Sequence, residues 1–237
     1  MNWEVEMVGD KADLTELCKC LTDNELHIEE RKSQFFLRSI RFNDLSTSEE
    51  VVSAGTNILT LLTGSARLAL GGKTPITVGS VAKIRDDGGR DIFATITETV
   101  GLRDFFSIEI RKSNGSIEVF HPAQDVPKWI KLSFFDEKVA KALRLFGASE
   151  HDWVSLYRLY EVIEEDVQTV DEIAKRGWAT KASIKRFKHT ANSPGSTGDA
   201  SRHGKESTSP PGNPMTLPEG KSLIELILHS WLRSKTK

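Results

Sequence analysis

The chain has 237 residues, of which 38% are hydrophobic and 28% are charged, and its formal net charge is −2. This composition is ordinary for a folded globular protein, so it excludes a wholly disordered chain. The small net charge provides no overall positive field that would indicate nucleic acid. The longest apolar stretches, "NILTLL" and "LIELIL", are far shorter than the ~20 residues that span a bilayer.

The first residues and the cysteines predict a cytoplasmic protein. The opening sequence "MNWEVEMVGD" has neither the basic lead nor the apolar core of a signal peptide. Cys18 and Cys20 lie two positions apart, a spacing that fits neither a zinc site nor a disulfide framework. Reduced thiols are typical of the cytosol. We expect no cofactor, no metal and no membrane partner.

Alternating apolar residues in the first half indicate β-strands. In "WEVEM", Trp3, Val5 and Met7 fall on one face of a strand. The next two predicted strands are "ELHIEE" and "SQFFLRSIRF", and residues 76–120 continue as a meander whose turns contain Asp-Gly and Asn-Gly. The pattern predicts an antiparallel sheet of about six strands.

Two segments of the first half have helical spacing instead. "DLTELCKCL" repeats leucine at helical intervals, with Asp13 available as its N-cap. "STSEEVVSAGTNILTLL" begins with Ser46, Thr47 and Ser48 as candidate caps and continues with acidic residues in the first turn. We expect these helices to cover one face of the sheet.

The period changes after "HPAQDVP". From Trp129 onward, apolar residues recur at helical spacing, interrupted only by a stretch rich in Pro, Gly and Ser. Because the helices follow the sheet and do not alternate with it, the predicted fold class is α+β. We expect a sheet domain over 1–121 and an all-helical domain over 122–237 that contains a long loop at 190–218.

Charge is distributed unevenly along the helical half. Residues 136–172 contain ten acidic and four basic side chains, whereas residues 181–205 contain six basic and one acidic. The second segment therefore produces a local positive field. A solvated helix face that balances the acidic segment would give the same pattern.

Six residues separate Arg144 from His151 in "RLFGASEH". This spacing resembles the arginine–histidine signature of the all-helical HEPN ribonucleases, in which the two side chains polarise the scissile phosphate and assist proton transfer. The resemblance implies phosphodiester cleavage. The structural alternative is that Gly147 ends one helix and Ser149 caps the next, which leaves His151 in a connector.

The segment "VDEIAKRGWATKASIKRF" resembles the helix-turn-helix of bacterial repressors. Ile173, Ala174, Ile184 and Phe187 match the apolar positions that hold its two helices together. The resemblance implies DNA binding through residues 170–188. The sequence departs from the pattern at the turn, where Trp178 stands in place of the expected glycine, and the alternative is a pair of helices packed in a domain core.

A third resemblance covers about residues 150–237. The islands "RFKHTAN", "GDASRHG" and "PPGNPMTLPE" recur in this order in a widespread family of uncharacterised bacterial proteins, which this part of the chain resembles. The resemblance implies a bacterial cytosolic source. It implies no activity.

The stretch "FKHTANSPGSTGDASRHG" gathers the side chains of the candidate binding site. Asn192 is suited to end the preceding helix in the left-handed conformation, and Thr216 and Glu219 form a capping box before the last helix, so we expect the loop to be pinned at both ends. Imidazole, guanidinium and the amides of a glycine-containing loop together suit an oxyanion such as phosphate. The candidate ligand-binding residues are Arg186, His189, Asn192, Asp199, Arg202 and His203, with Lys185 and Lys188 on the adjoining helix.

Other interpretations of the loop remain open at this point. Arg202 and Asp199 could instead tie the loop to the acidic helix at 150–166, or the segment could be disordered. A zinc site is disfavoured, because His189 and His203 have no cysteine nearby and Asp199 would not complete the ligand set.

Three functional hypotheses follow. The first is a non-enzymatic cytosolic binding or adaptor protein that recognises a phosphate-bearing ligand or nucleic acid through residues 185–204, or else a protein partner. It is favoured because the chain has no P-loop, no HExxH motif and no nucleophile elbow. The second is a phosphodiester-cleaving enzyme that uses Arg144 and His151 or Arg202 and His203. The third is a DNA-binding regulator.

Overall fold

The computed structural model describes residues 3–85, 87–94, 108–111, 117–121, 123–148, 151–202 and 209–236. The chain divides between Lys131 and Leu132 into two compact units, here called the sheet unit and the helical unit. The predicted α+β class is confirmed, since the described strands all lie in the first unit and the second unit is helical. This division lies later in the chain than the predicted boundary between residues 121 and 122. Lys131, at the end of the sheet unit, pairs with Asp23 at 2.7 Å.

The described strands of the sheet unit form one antiparallel sheet and a separate hairpin. They are β1 (Trp3–Val8), β2 (Leu26–Arg31), β3 (Gln34–Ser39), β4 (Thr77–Ile84), β5 (Arg90–Ala94), β6 (Ile108–Arg111) and β7 (Ile117–Phe120). The first five form a sheet in the order β2-β3-β1-β4-β5, and β6 pairs only with β7 among the described strands. Among the described strands, the predicted meander thus contributes to two sheets, and residues 95–107 between β5 and β6 lie outside the described residues.

The predicted inward face of β1 is confirmed. Trp3, Val5 and Met7 are all buried, and Val5 lies opposite Leu37 of β3 on one side and Val81 of β4 on the other. Apolar side chains from three neighbouring strands therefore share one face of the sheet. The alternate residues of β1, Glu4 and Glu6, lie on the opposite face.

Helices α1 (Lys11–Cys20) and α2 (Ser48–Leu70) belong to the same unit as this sheet. The predicted cap of α1 is wrong: Asp10, and not Asp13, accepts hydrogen bonds from the amides of Ala12 and Asp13, because the helix begins three residues earlier than the leucine pattern suggests. Of the three candidate caps of α2, Thr47 is the residue that caps the helix, and it forms a capping box with Glu50. A short 3-10 helix (Ile40–Phe42) follows β3, and α3 (Val126–Ser133) crosses the division between the units.

The described helices of the helical unit pack around an aromatic core. They are α4 (Glu137–Gly147), α5 (Trp153–Val167), α6 (Val170–Lys175), α7 (Lys181–Ala191), α8 (Pro194–Thr197) and α9 (Leu217–Lys235), with a 3-10 turn at Gly198–Ala200. Tyr160, Phe187 and Trp231 are fully buried. Among the described residues, no helix combines the length and the apolar character needed to cross a bilayer.

The far end of α9 is held by a charged cluster. Lys235 Nζ lies 2.7 Å from Asp136 Oδ2 and 2.9 Å from Asp166 Oδ2, and the indole of Trp231 donates to the same Asp166 oxygen at 2.8 Å. Burial disfavours the charged form of Asp136, but the Lys235 ammonium and the amides of Val139 and Lys138 outweigh it, so the pKa of Asp136 lies below its ordinary value. The cluster connects the start of α4 to the ends of α5 and α9.

We expect Asp136→Asn to lose stability in a pH-dependent way. Asparagine still caps α4, so the change removes mainly the charged bond to Lys235, at a cost of about 1–3 kcal/mol near pH 7. Because the pKa of Asp136 is depressed in the folded state, its contribution is complete above the unfolded value of about 4 and is lost as pH falls through the lower folded value. Urea unfolding of both proteins from pH 7 to pH 3 should show the difference shrinking below about pH 4. A difference that stays constant over this range would contradict the prediction.

Gly220 marks the closest approach of α9 to the aromatic core. A Cβ atom at this position would lie 2.8 Å from Cζ3 of Trp153. We expect Gly220→Ala to cost about 1–3 kcal/mol by overpacking, although alanine is the better helix former. The matched control is Gly212→Ala, where nothing lies within 4 Å of the added carbon. Thermal unfolding of the two variants should separate them; equal midpoints would contradict the close packing.

Candidate functional site: a cationic groove along one helix

Helix α7 is fixed by one buried face. Thr180 caps its start by accepting from the amide of Ser183 at 3.0 Å. The ring of Phe187 lies 5.9 Å from Tyr157 in a stacked arrangement and 6.0 Å from both Trp153 and Tyr160. This aromatic contact anchors the helix against α5 and sets which of its side chains face outward.

A groove with a volume of about 450 Å³ runs along the neighbouring face of α7. Its lining residues on α7 recur at intervals of three and four, so they share one side of the helix. They are Lys181, Ile184, Lys185, Lys188 and His189, together with Asn192 after the helix and Val170 from α6. The groove thus combines an apolar floor with a row of cationic side chains.

The three lysines differ in how firmly they are paired. Lys181 lies 2.8 Å from Asp171, but these side chains are 64% and 70% exposed, so the pair contributes only about 0–1 kcal/mol. Lys188 is more enclosed, 3.2 Å from Glu164 and 5.3 Å from the ring centre of Tyr160. Lys185 forms no ion pair with any residue that the structure describes. The groove therefore offers one unpaired and one weakly paired ammonium group.

Polar groups lie at the end of the groove that contains Asn192, here called its inner end. Asn192 donates through Nδ2 to the Tyr157 hydroxyl at 3.3 Å, while its Oδ1 is buried and has no donor among the described residues. Burial, reinforced by the nearby Glu164 carboxylate, raises the pKa of Tyr160 far above its ordinary value. The phenol therefore stays protonated and adds no negative charge beside Lys188.

Asn192 ends α7 as the sequence predicted, but the predicted left-handed conformation is wrong. Its φ of −94° and ψ of 0° are right-handed, and its amide bonds to the carbonyl of Lys188. The turn remains tight because Ser193 and Pro194 begin α8 at once. Asn192 nevertheless lines the groove, as a candidate ligand-binding residue should.

Arg186 is engaged by the chain that leads to α9. Its guanidinium donates to the carbonyls of Asn213 and Pro214 at 2.8 and 2.9 Å and lies 3.3 Å from Glu219. These contacts connect two of the sequence islands, "RFKHTAN" and "PPGNPMTLPE". The Arg186 side chain is thus directed towards the segment before α9, and its contacts are structural.

The loop is held on both sides of the undescribed residues 203–208. On one side Arg202 lies 2.6 Å from Glu161 and 4.1 Å above the ring of Tyr157, and its amide donates to the carbonyl of Ala191. On the other side, Nε2 of His189 donates to the carbonyl of Ser209 at 2.8 Å. Arg202 thus forms the tie to the acidic helix that the sequence offered as the alternative to a ligand site.

The remaining candidate residues of the loop are not brought into the groove. Asp199 is exposed and forms no hydrogen bond or ion pair with the residues described here. His203 lies outside the described residues. Of the predicted ligand-binding residues, the structure places His189 and Asn192 in the groove, along with the adjoining Lys185 and Lys188. Lys181 was not among the predicted ligand-binding residues, although it precedes Lys185 by one helical turn.

The arginine and histidine of the predicted ribonuclease motif each have another partner. Arg144 lies 2.5 Å from Glu137, while His151 stacks on the ring of Phe146 and its Nε2 contacts the Phe146 carbonyl at 2.9 Å. The predicted Ser149 cap lies outside the described residues, and Asp152 caps α5 by accepting from the amide of Ser155. His151 therefore lies in the connector, where it packs against the end of α4.

The predicted helix-turn-helix segment forms α6 and α7. Gly177 takes a left-handed φ of +73° immediately before Trp178, whose ring is buried with the guanidinium of Arg176 5.3 Å from its centre. Trp178 is thus buried at the turn, although it stands where the helix-turn-helix pattern has glycine, because Gly177 provides the bend one residue earlier.

No protein-family model, curated protein or solved structure matches this chain. Among the described residues, no three His, Cys, Asp or Glu side chains are grouped as metal ligands would be. The function is therefore argued from the geometry of the groove.

We expect Arg202→Ala to lower the free energy of unfolding by about 1–2 kcal/mol, measured by urea titration. The loss is modest because Glu161 is 43% exposed and water can replace its partner. Arg158→Ala, an exposed position on the same helix as Glu161, is the control and should change stability by less than about 0.5 kcal/mol. If the two arginine variants are equally stable, the tie contributes nothing.

Proposed function

We propose that this chain is a non-enzymatic cytoplasmic binding protein of bacterial origin, and that it takes up a phosphate-bearing ligand in the groove along α7. The bacterial source is an expectation from the sequence islands of the helical half. Two thiols that form no disulfide, Cys18 and Cys20, support a reducing compartment.

The observation that carries the proposal is the row formed by Lys181, Lys185 and Lys188 above the apolar side chains of Ile184 and Val170. A phosphate group needs cationic or amide donors, and an attached ring or chain needs apolar surface. The groove presents both along a single rigid helix. Its volume of about 450 Å³ is within the range of small-molecule sites.

Charge pairing in the groove favours uptake of an anion. Lys185 has no carboxylate partner among the described residues, and Asp171 can leave Lys181 at little cost because both side chains are mostly exposed. Lys188 remains bound to Glu164 and so serves mainly to shape the inner end. The phosphate is therefore expected at Lys181 and Lys185, with the rest of the ligand directed towards Asn192.

Free nucleotides and single-stranded nucleic acid carry the same phosphate chemistry. The salt dependence of their binding affinity distinguishes them. A ligand that spans several phosphates releases more counterions, so its affinity falls more steeply with salt. A groove one helix long contacts few phosphates, which favours a small ligand. Titration with a nucleoside triphosphate and with a labelled oligonucleotide, each at two salt concentrations, distinguishes the two sources, and cleavage of the oligonucleotide would select an enzyme instead.

We expect Lys185→Ala to weaken binding of the nucleoside triphosphate by about tenfold, the effect of losing one charged contact worth about 1.4 kcal/mol. Isothermal titration calorimetry measures the change. Lys141→Ala is the matched control, since Lys141 is an exposed lysine on α4 with no partner among the described residues, and it should leave affinity unchanged. Equal losses in both variants would show that only overall charge matters, and an absence of binding to the unaltered chain would overturn the proposal.

A further inference from the structure

One face of the five-stranded sheet carries, among the described residues, a cluster of three arginines around one buried carboxylate. Arg31 lies 2.7 Å and Arg38 3.1 Å from Oε2 of Glu4, and Nε of Arg90 lies 2.8 Å from Oε1. Glu4 is only 1% exposed. Burying a carboxylate this deeply is costly without partners, and the three guanidinium groups provide them.

Glu29 is held much more loosely than Glu4. Its carboxylate lies 3.6 Å from Nε of Arg31 and 3.4 Å from an Arg38 nitrogen, and it is 36% exposed. These are ion-pair distances beyond the usual N–H···O length of 2.7–3.2 Å. Glu29 thus lies between two guanidinium groups with no well-formed hydrogen bond to either.

The two arginines next to Glu29 have unused donors. Nε of Arg31 and Nε of Arg38 are buried and have no hydrogen-bond acceptor among the described residues. Leaving a buried charged donor unsatisfied is costly, and such groups are rare in folded proteins. The ring of Phe36 lies 3.9 Å below the Arg31 guanidinium and prevents it from turning inward.

Charge also favours an additional anion here. Among the described residues, three arginines face two glutamates, Glu4 and Glu29, which leaves one positive charge in excess within this part of the cluster. The third glutamate on this face, Glu6, is turned away: its carboxylate accepts from Gln34 at 2.8 Å and from Ser80 at 2.6 Å.

We propose that Arg31, Arg38 and Arg90 form a second binding site, specific for the oxyanion of a phosphate or carboxylate group, in which Glu29 occupies the ligand position until the ligand displaces it. Glu4 remains as the fixed counterion. The planar guanidinium groups suit bidentate recognition of an oxyanion. The site lies in the sheet unit and does not depend on the groove in the helical unit.

The test measures binding of inorganic phosphate and of acetate to the full chain by calorimetry. All proteins carry Lys181→Ala and Lys185→Ala, so that the groove along α7 does not contribute. In this background we expect Glu29→Gln to raise phosphate affinity by about three- to tenfold, because it removes the competing carboxylate. Arg38→Gln should lower the affinity by about tenfold or more.

The matched control is Glu30→Gln. Glu30 follows Glu29 on β2 and so points to the other face of the strand, and the substitution changes net charge by the same amount. If Glu29→Gln and Glu30→Gln raise the affinity equally, the effect is one of overall charge and the proposal is overturned. Arg38→Gln removes a partner of buried Glu4, so it can fail to fold; the comparison of the two glutamate variants then decides alone.

Tighter binding of phosphate than of acetate assigns a phosphate ligand, tighter binding of acetate assigns a carboxylate, and binding of neither overturns the site.

Discussion

The hydroxyl of Thr190 holds two segments of the helical unit together, and the candidate groove depends on it. It donates to the Arg186 carbonyl at 2.9 Å and accepts from the Met215 amide at 3.0 Å. Thr190 is fully buried, so neither bond can be exchanged for water. The segment before α9 is thereby fixed along α7, which brings the Asn213 carbonyl to the Arg186 guanidinium. The segment before α9 therefore packs along one side of α7, and the lysines lie on the groove side, where the ligand is proposed to bind.

Local signals in the sequence were sufficient for the class of fold and for several helix starts. Thr47, one of three candidate caps, and Thr216, the predicted start of a capping box, each stand three residues before a glutamate. Both form capping boxes, because that chemistry depends only on neighbours in the chain. Asp10 was missed as a cap because it stands four residues before the first leucine of the apolar pattern, Leu14. Alternation likewise indicated the buried face of β1 but not that Glu4, on its other face, is equally buried. Its burial requires arginines from β2, β3 and β5, which no local pattern reveals.

The candidate site shows the same limit. Its residue types made Arg186 and Arg202 attractive phosphate ligands, yet both are occupied by groups distant in the chain: carbonyls 27 and 28 residues away for Arg186, and a carboxylate 41 residues away for Arg202. An arginine with five donors readily satisfies several backbone carbonyls, whereas a lysine does so less well, which explains why the arginines became structural. Helical spacing alone could have joined Lys181 to Lys185 and Lys188, since all three lie on one side of α7.

In both proposed sites a carboxylate of the protein pairs with the cationic side chains that would bind the ligand. This carboxylate determines which ligands the sites would accept. An arriving anion must outcompete Asp171 for Lys181 in the helical unit, or Glu29 for two guanidiniums in the sheet unit. A monoanion gains little by such an exchange, because it replaces one carboxylate charge with another. A phosphate monoester carries nearly two charges near neutral pH and three acceptor oxygens, so it gains both Coulomb energy and hydrogen bonds. In both proposals a phosphate monoester would therefore displace the carboxylate more readily than a monoanion would, provided that the carboxylate remains exposed enough to move aside.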